Sequence, residues 1–233
     1  MTFPTKTFGT TNPYYYVKKR LGLKYRRCRP MHYKSDAQAK ERFKEDLPFH
    51  LENLSDKYGS EARLFFEDEH RMGEQPIQYK HWSFTHESTQ SINIGYKWLW
   101  DYAFVEPSTG ENHHYLMSHL NKISFRKTLD LFVKEAKVSK RAHVLLVVDG
   151  ATAHNLRSEE IPEGLEILKL PPYSPDLQPV ERIWKIVNQS ISNRCNAKFD
   201  VMVERISERC KWMMEYGVDL VRRVTSFYWL PTV

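Results

Sequence analysis

At 233 residues, 41% hydrophobic and 13% aromatic, the chain has enough apolar mass for one large domain with appendages. It carries no long uncharged apolar run and no signal-peptide pattern, so the expectation is a cytoplasmic protein with no membrane partner. Three cysteines, Cys28, Cys195 and Cys210, lie far apart with no Cys-x-x-Cys pair, which argues against both a disulfide framework and a zinc site.

The formal charge of +6 is unevenly spread. Residues 18–34 hold eight basic groups and no acid: Lys18, Lys19, Arg20, Lys24, Arg26, Arg27, Arg29 and Lys34. The remainder carries 27 basic and 29 acidic groups, so a basic arm precedes a slightly acidic body. Such an arm either meets nucleic-acid phosphates or is simply solvated, and composition does not choose between them. Tyr14 to Leu21 reads as a helical turn or two stopped by Gly22, and Leu23 to Arg29 as a short basic strand closed by Pro30. That is the tail of a winged helix-turn-helix, so residues 1–34 are expected to be a basic DNA-binding remnant.

Asp36 suits the N-cap of a helix carrying Ala37, Ala39, Phe43 and Leu47, with Pro48 as an interruption before Leu51 and Leu54 resume the apolar face. Gly59-Ser60 closes this helical linker, residues 35–60. The run Arg63 to Glu69 reads as a strand whose period of two puts Leu64, Phe66 and Asp68 on one face. Tyr79 to Phe84 and the long aromatic run Ile92 to Val105 are expected to be strands, and His113 to Met117 to return antiparallel after the Pro107–Gly110 turn. A helix starting at Asn121 or Ser124 buries Phe125, Leu129, Phe132, Val133 and Ala136.

His143 to Val148 is a continuous apolar run, the mark of a strand buried on both faces, and it ends at Asp149. A short helix over Ala151 to Arg157 and a strand over Leu165 to Leu170 follow. Four prolines, Pro171, Pro172, Pro175 and Pro179, then fix a rigid loop that delivers Glu181 to the first turn of a helix with Val180, Ile183, Trp184, Val187 and Ile191 buried. Taken alone, an acid in that position does no more than complement the helix dipole. Residues 61–195 form the expected core, and 196–233 are C-terminal helices packed on it, Phe199 to Met213 being amphipathic. The fold class is α/β, a mixed sheet flanked by helices.

Two strands end in aspartate and a helix begins with glutamate just after a third, and in such sheets functional groups gather where strands finish. Asp68, Asp149 and Glu181 would converge there. Three neighbouring carboxylates repel one another unless cations bind, and their hard oxygens suit Mg²⁺ or Mn²⁺. A pair of such ions about 4 Å apart can activate water or a sugar hydroxyl in phosphodiester chemistry.

The blocks Phe65-Phe-Glu-Asp-Glu-His-Arg-Met-Gly73, Val147-Val-Asp-Gly-Ala-Thr-Ala-His154 and Leu170-Pro-Pro-Tyr-Ser-Pro-Asp-Leu-Gln-Pro-Val-Glu-Arg-Ile-Trp184 resemble the three signature blocks of bacterial insertion-sequence transposases related to the mariner superfamily. The likeness runs as an ordered series of blocks over roughly residues 14–215, and the third block is the most specific. It implies a ribonuclease H-like fold and a DDE site in which Asp68, Asp149 and Glu181 are catalytic metal ligands for two Mg²⁺ or Mn²⁺ ions. It further implies double-stranded DNA as partner: terminal inverted repeats are cut, and the freed 3′ hydroxyls are joined to target DNA without a covalent protein–DNA intermediate. A homodimer on DNA and a nucleoid-associated location in a bacterium are implied with it.

Thirty-one residues separate Asp149 from Glu181, fewer than is usual in much of that superfamily, and Gly150 and Gln178 stand where many relatives have Asn. Full-length relatives carry a complete DNA-binding region at the front. This chain is therefore expected to be a truncated copy, or the second half of a transposase split between two reading frames and working with an upstream DNA-binding polypeptide. The alternative function is a DNA-binding relic without turnover; ribonuclease H activity is a weaker third. Among the remaining residues, His154 would contact DNA or a metal-bound water, or else cap a short helix. His113 and His114 point to opposite strand faces and cannot share a metal. Ser174 lacks a nucleophile elbow, and no Gly-rich phosphate loop is present.

Overall fold

Eleven residues, Arg63–Gly73, form the central strand β1 of a five-stranded sheet in the computed structural model, which describes residues 19, 21–23, 32–80, 91–139, 142–195 and 198–231. The other strands are β2 (Trp98–Val105), β3 (Asn112–Met117), β4 (Val144–Val148) and β5 (Leu165–Lys169), in spatial order β3-β2-β1-β4-β5. β2 pairs antiparallel with both β1 and β3, while β4 runs parallel to β1 and β5. The sheet is mixed, as expected.

The period of two sorts β1 onto two cores. Leu64 and Phe66 belong to one, together with Leu145 and Val147 of β4; Phe65 belongs to the other, with Leu146 and Val148. Helix α1 (Ala37–Tyr58), α3 (Trp184–Asn188), α4 (Phe199–Glu215) and α5 (Val218–Thr225) cover the first face, and α2 (Lys122–Glu135) the second. Every residue of β4 is buried because both faces are covered, which is why its sequence does not alternate.

The caps follow the sequence. Asp36 accepts from the amides of Gln38 and Ala39 at the head of α1, and Gly59 ends it in the left-handed region at φ 66°. Asn121 caps α2 through the Ser124 amide. Helix α1 continues unbroken through Pro48, which is exposed, so the carbonyl its missing N–H leaves unbonded can turn to water.

Three expectations need correction. Residues 91–97 are not a strand; β2 begins only at Trp98, and Ile92 and Ile94 stay exposed. Backbone groups in that run find side chains instead of a neighbouring strand: the Lys97 amide donates to Glu74, and the Gly95 carbonyl accepts from Gln75. Tyr79 is likewise not in a strand, because the Asn193 side chain takes both its amide and its carbonyl; residues 81–84 lie outside the described residues. The segment after Asp149 makes only a 3-10 turn, Thr152–His154.

From Lys34 to Val233 the chain packs as one compact unit, and Met1–Tyr33 is a separate unit. Lys18, Arg20, Lys24, Arg26, Arg27 and Arg29, and with them the winged-helix remnant, lie outside the described residues; Lys19 is described and exposed. No helix among the described residues is long and apolar enough to cross a membrane.

Candidate active site

Three consecutive acids, Glu67, Asp68 and Glu69, stand in β1, and strand alternation divides them. Asp68 shares the face of Phe66 and meets α3, where Trp184 Nε1 donates to its Oδ2 at 2.8 Å. His70, two residues on, stacks on the same Trp184 ring at 5.0 Å and reaches Asn188 Oδ1 at 3.1 Å. Glu67 and Glu69 face the other way, toward His154.

Asp149 follows the last residue of β4. Its Oδ1 accepts from the Ala151 amide at 2.8 Å and lies 2.9 Å from His154 Nδ1, so both contacts use one oxygen. Glu181 lies in a 3-10 turn, Pro179–Arg182, that leads into α3. The proline loop before it is tied to its surroundings by Gln178 Nε2, which donates to the Glu67 carbonyl at 2.8 Å, and by Asp176, which pairs with Lys40 of α1 at 2.5 Å. Inside the loop Tyr173 adopts φ 58°, a left-handed conformation that costs a non-glycine residue energy and persists only where its neighbours over-determine it.

Asp68, Asp149 and Glu181 line one cleft of about 420 Å³, with Gly150 beside Asp149 and the loop from Leu170 to Pro175 as the facing wall. The three acids are held there by different means: an indole, an imidazole with a backbone amide, and a proline-stiffened turn. Among the described residues two other groups draw three metal-ligating atoms within 4.8 Å of one another. They are Glu67, Glu69 and His154 behind the cleft, and Asp101, His114 and Cys210 between β2, β3 and α4. The three cleft acids are not so tightly drawn together; they stand on the walls of an open site.

Electrostatics distinguish them. Burial, opposed by the Trp184 hydrogen bond and reinforced by the charges of Glu69, Glu181 and Asp149, pushes Asp68 up to about 7. Asp149 is held below its ordinary value, chiefly by the hydrogen bond from His154. Glu181 is exposed at the rim, yet the walls crowd its carboxyl enough that partial burial, and then the charge of Asp176, raises it. His154 is buried, which alone would lower its pKa. Its bonds to Asp149 and Glu69, at 3.0 Å from Nε2, and the charge of Glu67 outweigh that and bring it to about 11. Glu67, fully buried beside Glu69, is raised well above the carboxylate range.

The donor set fits a divalent cation. One oxygen each of Asp68 and Asp149 is committed to the protein, and burial, with the charges of the neighbouring acids added to it, raises the pKa of Asp68. Sequence reasoning missed Trp184, Glu69 and Gln178 as the groups that position this site. The alternation of β1 already placed Glu67 and Glu69 opposite Asp68, but nothing local says that a histidine 85 residues away closes on them. The side chain of His154 meets Asp149 at both its Oδ1 and its backbone carbonyl, bracing it from within the core.

Solved structures share this architecture. A Mos1 transposase paired-end complex with left transposon end superposes with a TM-score of 0.59 at 15% identity, covering 89% of this chain and 64% of that one. The Mos1 mariner paired end complex with Mn gives 0.58 at 18% identity with the same coverage, and the catalytic domain of Mos1 mariner transposase 0.50 at 14%, covering 84% and 91%. This chain therefore spans less than two thirds of the longer Mos1 chains and most of the isolated catalytic domain, and it has the ribonuclease H-like fold. A protein of Sinorhizobium fredii (strain NBRC 101917 / NGR234) named "Uncharacterized protein y4pE/y4sA" is 28% identical over 108 residues, 45% of this chain and 78% of that one. The family model described as DDE superfamily endonuclease matches residues 63–202, from the first residue of β1 into the first turn of α4. The chain belongs to the DDE superfamily endonucleases.

Proposed function

We propose that this protein is a DNA transposase that cuts element ends and joins the freed 3′ ends to target DNA, with Asp68, Asp149 and Glu181 as ligands for two divalent cations. The observation that carries the reading is the convergence of these three acids, each fixed from a different element, on one cleft of a DDE endonuclease. Bound there, Mg²⁺ or Mn²⁺ would supply Lewis acidity at the phosphate and lower the pKa of an attacking water. Mos1 complexes with Mn and with Mg lend this weight.

The protein's own residues prepare the site. Trp184 fixes the rotamer of Asp68, and His154, anchored by Glu69, fixes that of Asp149. The stiff loop leaves Glu181 little freedom of approach, so ordering the ligands is largely done before DNA arrives. In cleavage a water oxygen bonds to the scissile phosphorus, the bond to the 3′ oxygen breaks, and that oxygen leaves as a hydroxyl after taking up a proton. In joining, the same hydroxyl oxygen bonds to a target phosphorus while a target phosphodiester bond breaks. One bond forms for each bond lost, so no nucleotide hydrolysis is required.

The basic arm, with Lys18, Lys19, Arg20, Lys24, Arg26, Arg27 and Arg29, is proposed to hold duplex DNA, with a homodimer bringing two ends together and an upstream polypeptide supplying further DNA-reading helices. A nucleoid-associated place in the bacterial cytoplasm goes with that role. The test uses the purified protein, DNA bearing element ends, and Mg²⁺ or Mn²⁺. Nicking at the ends is expected, and Asp149→Ala should abolish it. Cleavage that survives replacement of all three acids would sink the mechanism, and DNA binding with no cleavage under either ion would establish the relic instead.

A further inference from the structure

A second cleft, of about 340 Å³, opens at the far end of α3. Arg205, Arg209 and Trp212 come to it from α4 and Arg194 from the turn after α3. The inner face of α4, Met202, Ile206, Cys210 and Met213, is committed to the core, and the spacing of four and three from Arg205 through Arg209 to Trp212 makes an adjoining stripe. Glu208 is the one acid lining the cleft against three guanidinium groups. Neither Arg194 nor Arg209 forms an ion pair among the described residues; Arg209 instead lies over the Trp212 ring, 5.3 Å from its centroid. Trp212 remains 39% exposed, a large aromatic surface beside the guanidinium groups of Arg194 and Arg209.

Planar guanidinium groups present paired N–H donors that match phosphate oxygens, and an exposed indole beside them offers a face to a sugar or base. We propose that this arginine cleft is a phosphate-binding site for the backbone of the DNA duplex whose scissile bond lies at Glu181. The proposal rests on the DNA-cutting reading and adds where the duplex runs. Nine residue steps of turn and helix lead from Glu181 to Ser190, which lines the cleft. At 1.5–2.0 Å per residue that is roughly 14–18 Å. Successive phosphates of one strand advance about 3.4 Å along the duplex, which puts the contacted phosphate about four or five base pairs from the cut.

The experiment uses Asp149→Ala protein, so that bound DNA stays intact, and measures the dissociation constant for an element-end duplex across a range of salt concentrations. Arg194→Gln and Arg209→Gln are each expected to weaken binding about tenfold and to lower the slope of log affinity against log salt by about 0.9. Lys211→Gln, on the exposed side of α4, serves as the control and should change little. A duplex carrying one neutral methylphosphonate four or five base pairs from the cut should lose the same slope and show no further loss with Arg209→Gln. Variants that melt at the parent temperature yet keep its affinity and slope would overturn the proposal, as would a backbone with no sensitive phosphate in that stretch. Parent protein that binds DNA with this salt signature but never cuts it under Mg²⁺ or Mn²⁺ would leave the arginine cleft standing and fail only the endonuclease reading.

Discussion

One strand meets two crowds of carboxylates and treats them in opposite ways. At its first residue β1 offers Arg63, whose guanidinium grips Glu106 through two bonds of 3.0 and 2.8 Å and reaches Glu111 at 2.6 Å. Glu106 is 5% exposed there, and it is matched by a cation of the protein's own. A few residues further, Glu67, Asp68 and Glu69 meet Asp149 and Glu181 with no lysine or arginine paired to them among the described residues; His154 is the one basic side chain in the cluster. The first crowd is a structural clamp, complete in itself. The second retains an excess of negative charge, which adds to burial in raising the pKa of Asp68. A site that stores such repulsion is suited to a cation from outside.

The sharpest way to break that contrast is at the clamp. Arg63→Ala leaves two carboxylates facing each other with their shared partner gone. The loss is expected to be about 3 kcal/mol, the lower end for breaking a buried pair, since the Arg63 side chain is 30% exposed. Urea unfolding would measure it, and adding Glu106→Gln should recover part of it. A loss under about 1 kcal/mol would mean that the clamp is an ordinary surface pair.

At the cleft the sign should reverse. Asp68→Asn keeps an oxygen for the Trp184 hydrogen bond and removes a charge that the fold resists. Because the folded-state value is raised from 3.8 to about 7, ionisation costs stability: nothing below about pH 4, increasing to its full size near pH 7, and constant beyond. In metal-free protein the variant should therefore be more stable than its parent at pH 8, on the order of 2 kcal/mol, with the gap closing toward pH 4. The proposed cation would invert the ranking, since Mg²⁺ at a hundred times its dissociation constant adds about 2.7 kcal/mol to the parent alone. A variant less stable than the parent in chelator at pH 8 would contradict the picture of stored repulsion.

The clamp and the cleft also differ in how far the sequence foretells them. Strand β4, the caps at Asp36 and Asn121, and the alternation of β1 are local patterns, and the structure carries each one. Asp149 and Glu181 stand at a strand end and at the entry to a helix, as expected, whereas Asp68 lies in the middle of β1, because antiparallel pairing with β2 carries that strand on to Gly73; all three still line one cleft. What escaped was long-range: Trp184 reaching Asp68, His154 closing on Glu69, Arg63 on Glu106. No periodicity encodes which buried donor will find which acid. Residues 91–97 failed for the converse reason, because their apolar alternation had no neighbouring strand to pair with and Glu74 and Gln75 took the backbone instead. Propensity yields where a partner is missing.

The finest test of the clamp is Glu111, its more exposed acid. The hydrogen bond from His113, and then the charge and hydrogen bond of Arg63, hold its carboxyl below the ordinary 4.5. A depressed value of this kind contributes stability above pH 4.5 that is lost as pH falls through the folded value. With 39% of the side chain in solvent, screening limits the contribution to under about 1 kcal/mol. Glu111→Gln should therefore cost a few tenths of a kcal/mol at pH 7 and less at pH 3, because the parent loses this contribution as the pH falls. The measurement is a pair of urea titrations at those two pH values. A deficit that persists unchanged at pH 3 would mean that Glu111 acts through the packing of the Pro107–Gly110 turn, and that Arg63 holds a single acid where two are drawn.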